Sequence, residues 1–321
     1  MDFAQQVQAL RHEYRLLRDN HDFIGLDNSL IDESNGERIN GRVTESFWLK
    51  SGNFLRLVDI PDTLSGDILR LKQALPQIEG NFEINGNEIT KIEAIPPRPI
   101  YDDDTEDITD ELASLPTIDV DEDKHHLKKG KYKSEIQTLL KCQGGSCPGR
   151  SLSPHLITLL GKSKDGELVF EKLSPQYPIL FEFCSVAIYK RWIQHLVEGL
   201  GALHSIGIVH RDIHTGNVLF TEDGQKLVLA DLECRWGQRN APEIAWDDGI
   251  DPGWTVESDI YDIGTLIRWM IYANAPITKR VEWPVPAPFD EIADAYQRTD
   301  PQARPTSDEI SAMLDAIDDD E

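Results

Sequence analysis

Apolar residues Phe3, Val7, Leu10, Tyr14 and Leu17 recur at helical spacing with charges between them, which predicts an amphipathic helix over 3–17. Acidic residues share its polar face, so it reads as a helix packed on the protein body rather than on a membrane. From about 41 to 96 the pattern becomes short β-rich runs (RVTESFWL, FLRLVDI, NFEI, EITKIEAI) between Gly-, Asn- and Pro-containing turns, with one helix near 65–74. That texture predicts a small sheet-based lobe. After Pro96-Pro97, residues 102–123 carry eleven Asp or Glu and no Lys or Arg, and are expected to form an exposed insertion. DKHHLKKGKYKSEIQTLLK then turns basic and helical, with Ile136, Leu139 and Leu140 as its buried stripe. A strand pair around SPHLITLLG and GELVFEKL follows. Next come an amphipathic helix near 185–204, an apolar helix near 258–272 and a terminal helix. No internal repeat is visible.

The chain has 321 residues, enough for two lobes, and 40 % apolar and 28 % charged residues mark it as globular. Acidic residues outnumber basic ones 57 to 32, for a formal charge of −25, so a nucleic-acid-binding face is not expected. No apolar run approaches the roughly 20 residues needed to span a bilayer, and the first residues lack the apolar stretch of a signal peptide. Four cysteines are too few for a disulfide scaffold. Cys142 and Cys147 flank a Gly-Gly turn without the second pair a zinc site needs. A cytoplasmic or nuclear protein is expected, with no membrane and no nucleic-acid partner.

Chemistry concentrates in His210-Arg211-Asp212-Ile213-His214-Thr215-Gly216-Asn217-Val218-Leu219-Phe220. A polar loop there presents an aspartate and, five residues on, an asparagine. A strand follows, turns at Thr221-Glu222-Asp223-Gly224, and returns to deliver Asp231. Two carboxylates and an amide on adjacent strands suit phosphoryl transfer. One carboxylate orients or deprotonates an attacking hydroxyl, and hard oxygens hold Mg²⁺ on nucleotide phosphates.

This segment resembles the catalytic loop of the protein kinase family. Four further segments fall in the family's order: Leu229–Glu233, Ala241-Pro242-Glu243, Ser258–Gly264 and Asp300–Thr306. The likeness covers roughly 127 to 316. It implies an α+β, bilobal protein-kinase-like fold: an N-terminal helical extension (1–40), a small β-rich N-lobe (41–173) with the acidic insertion 102–123, and a larger, mainly helical C-lobe (174–321). It implies ATP and Mg as cofactors and a protein substrate, basic by charge complementarity. Asp212 stands as the catalytic base, Asn217 and Asp231 as Mg²⁺ ligands, and Glu243 with Arg304 as a buried ion pair. Glu135 stands as the partner of the ATP lysine, with an exposed helix residue as the alternative reading. Phe170 would be the gatekeeper, Glu171 to Leu173 the hinge that receives adenine, and Leu219 the floor beneath it.

Four departures matter. Glu233 replaces the family's glycine after the metal aspartate. His214 replaces a phosphate-contacting lysine, as in small-molecule kinases, and can donate a hydrogen bond to phosphate. Between Asp231 and Glu243 there is no Ser, Thr or Tyr, so activation by phosphorylation there is excluded, and Arg211 is expected to pair instead with a fixed carboxylate such as Glu233. Neither a glycine-rich loop nor the ATP lysine is plain. Gly36–Val43 could be a degenerate loop, placing Arg56 on the lysine's strand; alternatively Lys91 on Glu88–Ile92 is the lysine, and Lys91 is favoured, with an ordinary surface strand lysine as an equal alternative reading. The leading expectation is an ATP-dependent protein serine/threonine kinase. The alternatives are a pseudokinase acting as a binding module and a small-molecule kinase.

Overall fold

The computed structural model describes residues 2–19, 30–39, 41–71, 79–100, 103–175, 179–180, 182–245, 251–272 and 284–318. It is an α+β protein in two compact units, Gln8–Asp103 with Asn274–Trp283, and Met1–Val7 with Asp104–Ala273 and Pro284–Glu321. This division differs from the expected lobes, because the strands of 41–96 make a unit of their own.

Helix α1 (Phe3–Asp19) buries Phe3 and Val7; the side chains of Tyr14 and Leu17 lie outside the described residues. The smaller unit is built on a sheet of five strands ordered β1-β2-β3-β4-β5: β1 (Ile31–Ile39), β2 (Arg42–Leu49), β3 (Phe54–Val58), β4 (Phe82–Asn85) and β5 (Glu88–Lys91). All pairs are antiparallel except β3 with β4, which helix α2 (Leu64–Leu71) connects by a crossover. Leu55 and Leu57, Ile68 and Leu69, and Phe82 and Ile84 bury against one another and fix α2 on the sheet. Gly36–Ile39 pairs antiparallel with Arg42–Glu45, and Gly41 stands at φ +79, a region glycine enters at no steric cost. Arg56 pairs with Glu83 across β3 and β4 (3.3 Å), and Lys91 ends the fully exposed strand β5.

The larger unit begins with α3 (Thr109–Ala113) and a sheet ordered β6-β8-β7: β6 (His125–Lys128), β7 (Leu159–Lys162) and β8 (Leu168–Glu171). Helix α4 (Lys133–Cys142) lies between β6 and β7 in sequence. The acidic stretch is not a solvated insertion. Ile108 and Leu115 are buried, and Thr117 bridges Lys162 of β7. Beyond β8 come β9 (Ser174–Pro175), α5 (Val186–Ser205), β10 (Val218–Phe220), β11 (Leu227–Leu229), α6 (Val256–Ile271), α7 (Asp290–Tyr296) and α8 (Ser307–Asp315). Among the described residues no helix is long and apolar enough to cross a membrane. The stripe of α5 buries Ile193, Leu196, Leu200 and Leu203, while Trp192 anchors the β10–β11 turn by donating to Gly224 O (2.8 Å).

Two stacked histidines, His155 and His195, with ring centroids 3.9 Å apart, bracket the start of β11. His155 Nδ1 donates to Leu227 O (3.1 Å), and Leu227 N–H donates to His195 Nδ1 (3.2 Å). Burial, then the neighbouring His155 and Arg191, push His195 down to about 4. The unfolded chain therefore binds a proton that the folded chain refuses. This contribution to stability is complete above about pH 6.5 and is lost as the pH falls toward the folded value. His195→Asn keeps an acceptor for Leu227 and is expected to flatten the fall in Tm between pH 6.5 and 4. An unchanged slope in Tm against pH would show that another group carries it.

Candidate functional site

Helix α5 ends at Ser205, and the chain turns through Gly207 (φ +73) into the polar loop 210–217. One buried carboxylate from α6 fixes that loop: Asp259 Oδ2 accepts from His210 N–H (2.7 Å), and its Oδ1 accepts from Arg211 N–H (2.7 Å). Arg211 is held at φ +76, and Asp231 and Cys234 also sit in the left-handed region at φ +59 and +52. Each costs about 1–3 kcal/mol, and such strain gathers where a chain positions chemistry. His210 is fully buried. Its Nδ1 accepts from Asp212 N–H (3.2 Å), so its Nε2 is the donor to Ala230 O (3.0 Å), which ties the loop to the end of β11.

Asp212 is the acceptor for three side chains. Gln238 Nε2 donates to Oδ1 (2.7 Å), while Asn217 Nδ2 (2.8 Å) and His214 Nε2 (3.2 Å) donate to Oδ2. His214 Nδ1 accepts from Gly216 N–H (3.0 Å), so the proton sits on Nε2 and points at Asp212. Burial raises the Asp212 carboxyl, but the bonds from His214 and Gln238 outweigh it and leave the group below its ordinary value.

Both Asn217 Nδ2 bonds go to acceptors, Asp212 O (2.9 Å) and Asp212 Oδ2. The amide is therefore oriented by chemistry, and its Oδ1 faces away from Asp212. Asp231 follows β11, and its Oδ1 takes the Lys128 ammonium at 2.5 Å. Asn217 Oδ1 and Asp231 Oδ2 accept from nothing among the described residues, which leaves two hard oxygens for a divalent ion. That donor set fits Mg²⁺, which keeps several waters and binds few protein oxygens.

Lys128 Nζ also pairs with Glu135 Oε1 (2.6 Å), a residue only 2 % exposed on α4, so the exposed-residue alternative for Glu135 fails. Burial drives Glu135 up and Lys128 down. The attraction of Glu135 and Asp231 more than restores Lys128, leaving it above its ordinary value. Glu135 is thus paired with Lys128, not with Lys91 or Arg56, which belong to the other unit. The lysine on Glu135 is therefore Lys128 of β6, whereas the favoured Lys91 ends β5 of the other unit.

A cavity of about 410 Å³ opens over these groups. Its lining includes polar Lys128, Glu135, Asn217, Asp231, Glu171 and His126, and apolar Ile157, Phe170, Leu173, Leu219 and Leu232. The volume lies in the range of small-molecule sites. Of the residues singled out in the sequence, the structure brings Glu135, Phe170, Glu171, Leu173, Leu219, Asn217 and Asp231 to this cavity, with Asp212 bonded to Asn217 and His214 to Asp212. Lys128, His126 and Ile157 were missed. Glu233 is pushed up to about 7 by burial and the charge of Asp231. The carboxylate that Arg211 meets is Asp251 (4.0 Å), and no pair with Glu233 forms among the described residues. The Arg211 guanidinium donates to Arg235 O (3.4 Å) and lies 5.2 Å from the centre of the Trp254 ring. Arg304, fully buried, grips Glu243 with two bonds (2.6 and 2.8 Å).

No family model matches the chain. Among curated proteins it is similar to Misshapen-like kinase 1 of Rattus norvegicus, 28 % identical over 201 residues that cover 53 % of this chain and 14 % of that protein. The chain thus spans about a seventh of that relative's length. This likeness is a distant, protein-kinase-like relationship.

Proposed function

We propose that the chain is an ATP-dependent phosphotransferase, a protein serine/threonine kinase that transfers the γ-phosphoryl group to a hydroxyl. One arrangement carries the reading: Asn217 and Asp231 line a cavity that also holds the Lys128–Glu135 pair, and Asp212 is bonded to Asn217 beside it. Adenine would lie between Ile157 and Leu219, with the backbone of Glu171–Leu173 at its edge. Lys128 would meet the phosphates, and Asn217 and Asp231 would hold Mg²⁺. When bound, Mg²⁺ neutralises charge on the phosphate oxygens. Asp212 orients the hydroxyl and takes its proton as the oxygen–phosphorus bond forms and the β–γ bridging bond breaks, releasing ADP. His214 donates its Nε2 proton toward the same site. A net charge of −25 favours a basic protein substrate by steering.

A second reading, a pseudokinase acting as a binding module, has one observation behind it. The residues of the larger unit that precede and form β6, 104–129, contain no glycine, so no glycine-rich loop covers phosphates from that side. A paired measurement of Mg–ATP affinity and of phosphate transfer to basic proteins separates the readings. Wild type is expected to do both, and Lys128→Met, which leaves Glu135 buried and alone, to weaken Mg–ATP binding by about 10- to 100-fold. Binding without transfer favours the module; no binding at all defeats both.

A further inference from the structure

Carboxylates at the start of the acidic stretch reach the segment that follows Asp231. Asp104 Oδ2 accepts from the Tyr132 hydroxyl (2.8 Å) and the Trp236 indole (3.2 Å), while Oδ1 takes the Lys131 ammonium (2.5 Å). Glu106 divides its two oxygens. Oε1 takes the Arg235 guanidinium (2.7 Å), and Oε2 accepts from the backbone N–H of Lys133 (2.8 Å), the first residue of α4. The Arg235 guanidinium lies 4.7 Å from the centre of the Tyr132 ring, and the Trp236 indole also donates to the Tyr132 hydroxyl (3.1 Å). Ser134 Oγ adds a bond to Glu233 O (2.9 Å).

Through Asp104 and Glu106 these links tie residues 131–134, at the start of α4, to residues 233–236, and two residues beyond Lys133 stands Glu135, the partner of Lys128. Bonds from Lys131 and Tyr132 hold Asp104 down to about 2, and Glu106 is lowered by the Lys133 N–H and Arg235, so both carboxylates stay charged. Residues 232–245 (LECRWGQRNAPEIA) offer no hydroxyl on which a phosphate could supply that charge to Arg235.

We propose that Asp104 and Glu106 are positioning residues for the cavity: a fixed anionic clasp that holds 233–236 against the start of α4 and so keeps Glu135 on Lys128 without covalent modification. Its consequence for nucleotide affinity rests on the phosphotransferase reading; the clasp itself does not. The test is a double-mutant cycle of Glu106→Gln, Arg235→Gln and the combined variant, with Asp104→Asn alongside. Hydrogen exchange is followed in ligand-free protein over α4, residues 232–238 and α5, together with the Kd for Mg–ATP. Each single variant is expected to speed exchange in α4 and 232–238 about tenfold and to raise Kd by a similar factor. Exchange in α5 should stay at the wild-type rate, the combined variant should add little, and Arg235→Lys should recover part of the loss. Unchanged exchange in α4, full additivity, or equal acceleration in α5 would each overturn the clasp. Should wild type bind no Mg–ATP, the phosphotransferase reading falls, and the exchange cycle still decides the clasp.

Discussion

Asp212→Asn is expected to cut phosphoryl transfer by about 10²- to 10⁴-fold, the usual worth of a positioned general base, while leaving Mg–ATP affinity and Tm close to wild type. The fold can absorb the change. Asp212 accepts from Gln238 on Oδ1 and from Asn217 and His214 on Oδ2. An asparagine with its oxygen toward Asn217 and His214 keeps those two bonds. Its amide then faces Gln238, whose own side-chain amide can turn to present an oxygen. On the proposed phosphotransferase reading, what is lost is the acceptor for the hydroxyl proton, since an amide takes none at neutral pH. The carboxyl in the native chain lies below its ordinary value despite burial, so it is ionised and ready to accept. Transfer rates with a basic protein substrate, measured beside nucleotide affinity, check the expectation. Transfer at wild-type rate in the asparagine variant would remove Asp212 from the chemistry.

What the sequence makes legible is the chemistry that local chain geometry dictates. Asp212, His214 and Asn217 lie within six residues, and Asp231 follows a hairpin whose turn is written in Thr221–Gly224, so their meeting needs no distant information. Lys128 is different. It is one of five lysines between 124 and 133, on a four-residue strand, and only the register of β6 on β8, with Lys128 opposite Leu168, sets which one meets Glu135. Lys91 has the right strand texture but sits on the five-stranded sheet of the other unit. β1 escapes a reading by pattern because Asp-Glu-Ser-Asn-Gly-Glu-Arg has no alternation; β2 imposes its extended form. The acidic stretch misleads for a similar reason. Its local composition implies repulsion and solvent, whereas the cations that fold it come from Lys131 and from Arg235, about 130 residues away.

Asp259→Ala is expected to cost about 3–5 kcal/mol of stability, in the range for stripping a buried group of its charged partner. Asp259 is 0 % exposed on α6 and serves three donors: His210 N–H and Arg211 N–H at 2.7 Å, and His204 Nε2 at 2.9 Å. Alanine supplies no acceptor, so two backbone N–H groups lose their partner where water does not replace it. The φ of +76 at Arg211 then loses what holds it, since a non-glycine residue enters that region only under tertiary constraint. Loss of that much from the 5–15 kcal/mol typical of a domain shifts the urea midpoint plainly. Asp259→Asn keeps one acceptor oxygen and should cost less than alanine, which separates the hydrogen bonds from packing. The consequence reaches the site through the chain itself. Arg211 precedes Asp212, so a relaxed loop moves the carboxylate from Asn217 and Gln238, and transfer should fall at temperatures where the protein is still folded. A midpoint unmoved by alanine would show that the loop is held by His210 on Ala230 O alone.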